Sequence, residues 1–121
     1  MLNLDTHILL FSLTGELSAR ERKLLTSDEW SISPIVIWEI ARLAQGGRIE
    51  FDLNHSELTR VLSRIHTWPL SIDVCRAIRS LDFRSDPADE IIAATSIVNS
   101  VPLVTRDARL RKSKIVPLAG D

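Results

Sequence analysis

The sequence predicts an α/β sandwich built on a small central parallel sheet. Three observations lead there. Short apolar runs (Leu2 to Asp5, Trp30 to Ser33, Pro102 to Thr105) alternate with longer segments of helical periodicity, the pattern of βαβ units. Several helical segments open on a cap residue, and two of those caps are followed directly by proline. The chain has 121 residues, which fits one domain, and a domain of this size buries roughly two-thirds of the surface its unfolded chain exposes.

In chain order, Leu2 to Asp5 is a strand that passes straight into a helix over Thr6 to Leu13, which Gly15 breaks. Ser18 with Glu21 three residues on is a capping-box pattern opening a helix to about Thr26. Trp30 to Ser33 is the second strand. Ser33-Pro34 is a cap with proline at the first helical position, and Gly46-Gly47 terminates the helix that follows. Asn54 or Ser56 opens a helix through about Ile65, Pro69 to Ile72 is extended, and Asp73 caps a helix to about Leu81. Asp86-Pro87 is again cap plus proline, leading Ala88 to Asn99. Pro102 to Thr105 and Ile115 to Leu118 are the last strands.

No apolar run approaches the roughly 18 residues of a membrane span. The N-terminus lacks the basic region and cleavage site of a secretory leader, and Asp5 interrupts its apolar start. A single cysteine forms no internal disulfide, so the expected home is the cytoplasm. The net charge of -1 does not advertise a nucleic-acid partner. Setting four of the 16 acids aside as metal-neutralised, however, leaves 12 against 15 bases. Five bases crowd into Arg106, Arg109, Arg111, Lys112 and Lys114. This run reads first as a solvated loop, with Arg106 or Arg109 placed to meet a phosphate group.

Most of the acids lie in polar stretches. Four stand where a carboxylate is awkward. Asp5 ends the first strand among Ile8, Leu9, Leu10 and Phe11, and Asp107 follows the Pro102-Leu103-Val104-Thr105 strand. Glu39 shares a helix face with Ile35, Val36 and Leu43, and Asp89 shares one with Ile92, Ala93 and Ser96. An unpaired buried carboxylate costs several kcal/mol. None of these named neighbours is a lysine or arginine, so a divalent cation is the economical partner. All-oxygen ligands favour Mg²⁺ or Mn²⁺, and strand C-termini are where open α/β sheets form ligand sites. Such an ion suits phosphodiester hydrolysis by a bound water.

Four stretches carry a family resemblance. They are Leu4-Asp5-Thr6-His7; Ser33-Pro34 through Trp38-Glu39-Ile40-Ala41; Asp86-Pro87-Ala88-Asp89 running into Ile91-Ile92-Ala93-Ala94-Thr95; and Pro102-Leu103-Val104-Thr105-Arg106-Asp107. In order and spacing, over nearly the whole chain, they resemble the PIN domain, especially VapC-like toxins. The resemblance implies a three-layer α/β/α fold in a single domain over residues 1–121. It also implies a Mg²⁺- or Mn²⁺-dependent endoribonuclease that is the toxin of a type II toxin–antitoxin pair. Asp5, Glu39, Asp89 and Asp107 are then the metal-holding, catalytic acids, with Thr105 a hydroxyl beside the site. Thr6 and Arg106 are expected to meet substrate. The implied partners are RNA, a cognate antitoxin and a second copy in a homodimer, with no membrane. One departure is Glu90, where close relatives often carry arginine. A catalytically silent PIN-like module that binds RNA or a partner is the alternative that Glu90 supports.

Other residues take plainer roles. Asp86 is assigned to helix capping, His7 to turn packing, and His55 and His66 to the surface. Cys75, sharing a face with Ile78, is expected to pack as a small hydrophobe, and Trp38 to lie in the core or a dimer interface. A haloacid-type phosphatase is disfavoured because its pattern needs a second aspartate two residues after the first, where His7 stands.

Overall fold

The structure, a computed structural model, describes residues 1–50 and 52–120. Within them, four short strands form one parallel sheet in the order β3-β2-β1-β4: β1 (Leu2–Leu4), β2 (Trp30–Ile32), β3 (His66–Thr67) and β4 (Leu103–Val104). β1 is central. It pairs with β2 through Leu2↔Trp30 and Asn3↔Ser31, and with β4 through Asn3↔Leu103 and Leu4↔Val104.

The helices are α1 (Thr6–Thr14), α2 (Ala19–Thr26), α3 (Pro34–Gln45), α4 (Ser56–Leu62), α5 (Ile72–Ala77), α6 (Pro87–Asn99) and α7 (Ala108–Arg111). All three residues of β1 are buried. Because side chains alternate along a strand, both faces of the sheet centre must be covered, as in the expected α/β/α sandwich. On one face Asn3 donates its amide N–H to the Ile92 carbonyl at 3.2 Å and to Ser96 Oγ at 2.8 Å, fastening the sheet to α6. The core gathers Leu4, Ile8, Leu9, Ile32, Ile40, Ile92, Leu103 and Leu110. Each such side chain contributes roughly 1.5–3 kcal/mol through burial.

The caps explain where the helices begin. Ser18 and Glu21 form the full capping box, and Ser33 accepts from the Ile35 N–H ahead of Pro34. At its far end α1 stops on Gly15, whose φ of 76° suits a residue without Cβ.

Four expectations need correction. The helix through Ile65 ends at Leu62, and the strand falls on His66–Thr67 rather than Pro69 to Ile72. Trp68 is the reason: its N–H donates to the Ile32 carbonyl at 2.9 Å and its indole N–H to Ser31 Oγ at 2.7 Å, docking this segment on β2. Ser71, not Asp73, caps α5, because its hydroxyl accepts from the Val74 N–H at 3.2 Å; Asp73 faces Arg76 in the first turn. The basic run is not all loop, since Ala108–Arg111 is helical. The extended piece near Leu118 meets β4 through a single bridge to Leu103. Among the described residues, no helix is long and apolar enough to cross a membrane.

Candidate metal and catalytic site

The C-terminal ends of β1 and β4, the middle of α3 and the first turn of α6 converge on one cleft of about 390 Å³. Asp5, Glu39, Asp89 and Asp107 all line it, joined by Asp86, Arg106 and His7. Each acid has its own local anchor. Asp5 is 6% exposed and caps α1; one carboxylate oxygen accepts the Thr6 N–H at 2.8 Å and the other the Thr105 hydroxyl at 2.6 Å. Glu39 accepts the Thr6 hydroxyl. Asp89 accepts the Ser85 hydroxyl at 2.7 Å. Asp107 caps α7, accepting the N–H groups of Arg109 at 2.8 Å and Leu110 at 3.2 Å. Strand ends therefore deliver two acids as helix caps, while two helices present the others from their inner faces.

The electrostatics are those of uncompensated negative charge. Burial raises the Asp5 carboxyl above its ordinary value, with the Asp107 charge adding to the rise and the Thr105 and Thr6 hydrogen bonds opposing it. Burial also raises Glu39, helped by the charges of Asp5 and Asp89. Asp89 is raised by burial and then by Asp5, Asp107 and Asp86. A set of hard oxygen donors that hold one another above the usual range fits a divalent cation, which would relieve both desolvation and mutual repulsion. As they stand, no three acids or histidines among the described residues are gathered tightly enough to hold an ion. Each carboxylate is turned to its own hydrogen-bond anchor, and ligation would exchange some of those bonds.

The other expected site residues fall as follows. Thr105 and Thr6 are buried, and their hydroxyls donate to Asp5 and Glu39 respectively. Arg106 lines the cleft, but its guanidinium grips Glu21 at 2.7 and 2.8 Å and the Glu16 carbonyl at 2.9 Å, over the Phe11 ring. His7 is exposed beside Phe11, with ring centroids 6.1 Å apart, rather than packed in the turn.

Asp86 occupies the cap position of α6 without a side-chain cap bond and instead faces the cleft. The first-turn bond goes to Glu90, which accepts the Ser85 N–H at 3.1 Å. Ser85 was missed by sequence reasoning. Its signal was its place one helical turn before Asp89. Cys75, expected to pack, is exposed on α5, and of the two places expected for Trp38 the core is excluded, since it is 51% exposed on the single chain.

Comparison with known proteins now bears on this cleft. A family model described as the PIN domain matches residues 3–115. Ribonuclease VapC22 of Mycobacterium tuberculosis (strain ATCC 25618 / H37Rv) is 33% identical over 91 residues, 73% of this chain and 70% of that protein. Among solved structures, VapBC2 from Rickettsia felis bound to a promoter DNA fragment superposes with a TM-score of 0.70 at 17% identity, covering 98% of this chain and 97% of that one. A toxin–antitoxin complex from Klebsiella pneumoniae gives 0.69 at 19% identity, covering 93% and 91%. At these identities the two structures speak for the fold.

Proposed function

The chain belongs to the PIN domain family, and on that premise we propose that it is a Mg²⁺- or Mn²⁺-dependent endoribonuclease, the toxin of a type II toxin–antitoxin pair. The observation that carries the reading is the cleft itself: Asp5, Glu39, Asp89 and Asp107 line one hollow, and three of them are held above the usual carboxylate range by burial and by one another. The similarity to a protein named a ribonuclease supports the chemistry. The likeness to toxin–antitoxin complexes supports an antitoxin partner; a block of the site by that partner and a cytoplasmic setting are part of the same reading.

These four acids would hold the metal, which when bound supplies a water of lowered pKa and neutralises charge at the scissile phosphate. The chain's own groups prepare that site. The Thr6 hydroxyl links α1 to Glu39 on α3, and the Thr105 hydroxyl links β4 to Asp5 at the end of β1. Ser85 steadies Asp89. Such bonds fix carboxylate direction, which metal sites require of the residues behind their ligands. Asp86 adds a further charge at the wall, and Arg106 stands at the rim as a candidate phosphate contact, its guanidinium held by Glu21. A homodimer is part of the reading, as is a single domain over the whole chain.

Purified protein with Mn²⁺ should cleave RNA, and Asp5→Ala should abolish cleavage while circular dichroism shows a folded chain. Undiminished cleavage by that variant would overturn the assignment. Glu90, the departure that favoured a silent module, is not part of the cleft wall and serves the first turn of α6.

A further inference from the structure

Beside the acid cleft lies a second hollow of about 340 Å³ that shares Glu39 with it. Its wall is formed by Trp38, Glu39, Arg42, Leu43, Gly46 and Arg48. Trp38 precedes Glu39 on α3, so its side chain leaves the helix on the neighbouring face, and half of it is open to solvent. The Arg42 guanidinium lies 5.0 Å from the Trp38 ring centroid. Neither Arg42 nor Arg48 forms an ion pair with a carboxylate among the described residues.

The hollow thus sets a half-exposed indole beside two guanidinium groups that carry no ion pair with a carboxylate among the described residues. It matches the needs of single-stranded nucleic acid, in which an unstacked base finds a planar ring and its flanking phosphates find cations. A duplex keeps its bases stacked and cannot use the ring in this way.

We propose that Trp38 and Arg42 form a nucleobase-stacking subsite for single-stranded RNA, holding one base on the indole while the adjoining backbone runs past Glu39 into the acid cleft. The proposal rests on the ribonuclease reading above and deepens it by assigning substrate contacts outside the acids. Arg48, on the same wall, is a second phosphate contact. The subsite selects for an unpaired base next to the cleavage point and tolerates base identity, because every base has a π face.

The test is fluorescence anisotropy of a labelled, unstructured single-stranded RNA, measured in EDTA so that binding is read without cleavage, across a salt series. Sedimentation of each variant runs alongside. Trp38→Ala and Trp38→Leu should each weaken binding by about tenfold or more, while Trp38→Phe keeps most of the affinity. The slope of log K against log salt should be unchanged by the tryptophan variants, whereas Arg42→Ala should make it shallower by roughly 0.7. A matched duplex should be indifferent to Trp38→Ala.

RNA affinity unchanged by Trp38→Ala and Trp38→Leu overturns the proposal. So does loss of affinity accompanied by a fall in particle mass, which assigns Trp38 to a contact between copies. Absence of RNA binding by the unaltered chain overturns it as well. Trp38-dependent binding without Mn²⁺-dependent cleavage would leave this subsite standing and remove the nuclease reading instead.

Discussion

Two carboxylate environments meet at one rim of this molecule and behave in opposite ways. Glu21, in the capping box of α2, receives the Arg106 guanidinium, and that hydrogen-bonded pairing holds its carboxyl down at about 2. In the cleft that Arg106 also lines, Asp5, Glu39 and Asp89 meet burial and one another, and all three are pushed up. The fold thus has a cation at the cleft wall and uses it on Glu21. Charge left uncompensated beside an available guanidinium is what a metal-binding site requires, because an arginine fixed among the acids would occupy the ion's place.

The largest effect should come from removing a member of the uncompensated set. Asp5→Ala or Asp89→Ala should lower the rate of RNA cleavage by ~10³-fold or more, the scale of several kcal/mol of lost charge stabilisation. Stopped-assay gels would read it. An Arg106→Ala variant assayed in parallel should lose far less, since its guanidinium is engaged with Glu21.

The next effect is on stability. A metal that binds the folded chain alone raises stability by about 2.7 kcal/mol when present at about a hundred times its Kd. Mn²⁺ should therefore raise the melting temperature by several degrees. The gain should vanish in Asp5→Ala and persist in Glu21→Gln. Equal gains in both variants would erase the contrast between the two environments.

The pH dependence separates them by sign. In the metal-free protein, Asp5, Glu39 and Asp89 bind protons more tightly folded than unfolded. Between their unfolded and folded values the folded state carries more protons, so stability falls as pH rises through that window. Glu21 does the reverse. Its contribution is complete above its ordinary carboxylate value and is lost as pH falls toward about 2. Calorimetric melting across acid pH should show both limbs. Glu39→Gln should flatten the upper one and Arg106→Ala the lower one. The smallest effect is that of Arg106→Ala at neutral pH, a loss of about 0.2–1 kcal/mol that shrinks with salt, as expected for a surface pair whose arginine is about half exposed.

Much of this was legible in the sequence, for reasons that differ by residue. Asp5 and Asp107 follow compact apolar strands, and Glu39 and Asp89 sit on helix faces whose other members are apolar, so local periodicity alone set them apart. Their convergence on one cleft follows from the parallel order of β2, β1 and β4, which alternating strands and helices already implied. What was not legible depended on contacts across the chain. The Arg106–Glu21 pair joins a late loop to α2, and no local pattern announces it. The position of β3 turns on Trp68 reaching back to Ser31. Asp86-Pro87 is a true helix start by sequence, yet Glu90 takes the first-turn bond and leaves Asp86 facing the acids. Trp38 was expected in the core or a dimer interface because tryptophan is large and apolar; on the single chain it lies at the surface with Arg42, one turn along α3, against its ring.

The central claim is that the four acids hold a divalent cation, and isothermal titration of the purified chain with Mn²⁺ tests it most directly. The account predicts saturable binding in the unaltered protein, preserved in Glu21→Gln and lost in Asp5→Ala and Asp89→Ala. No binding at millimolar Mn²⁺, or binding that survives in both aspartate variants, would contradict it.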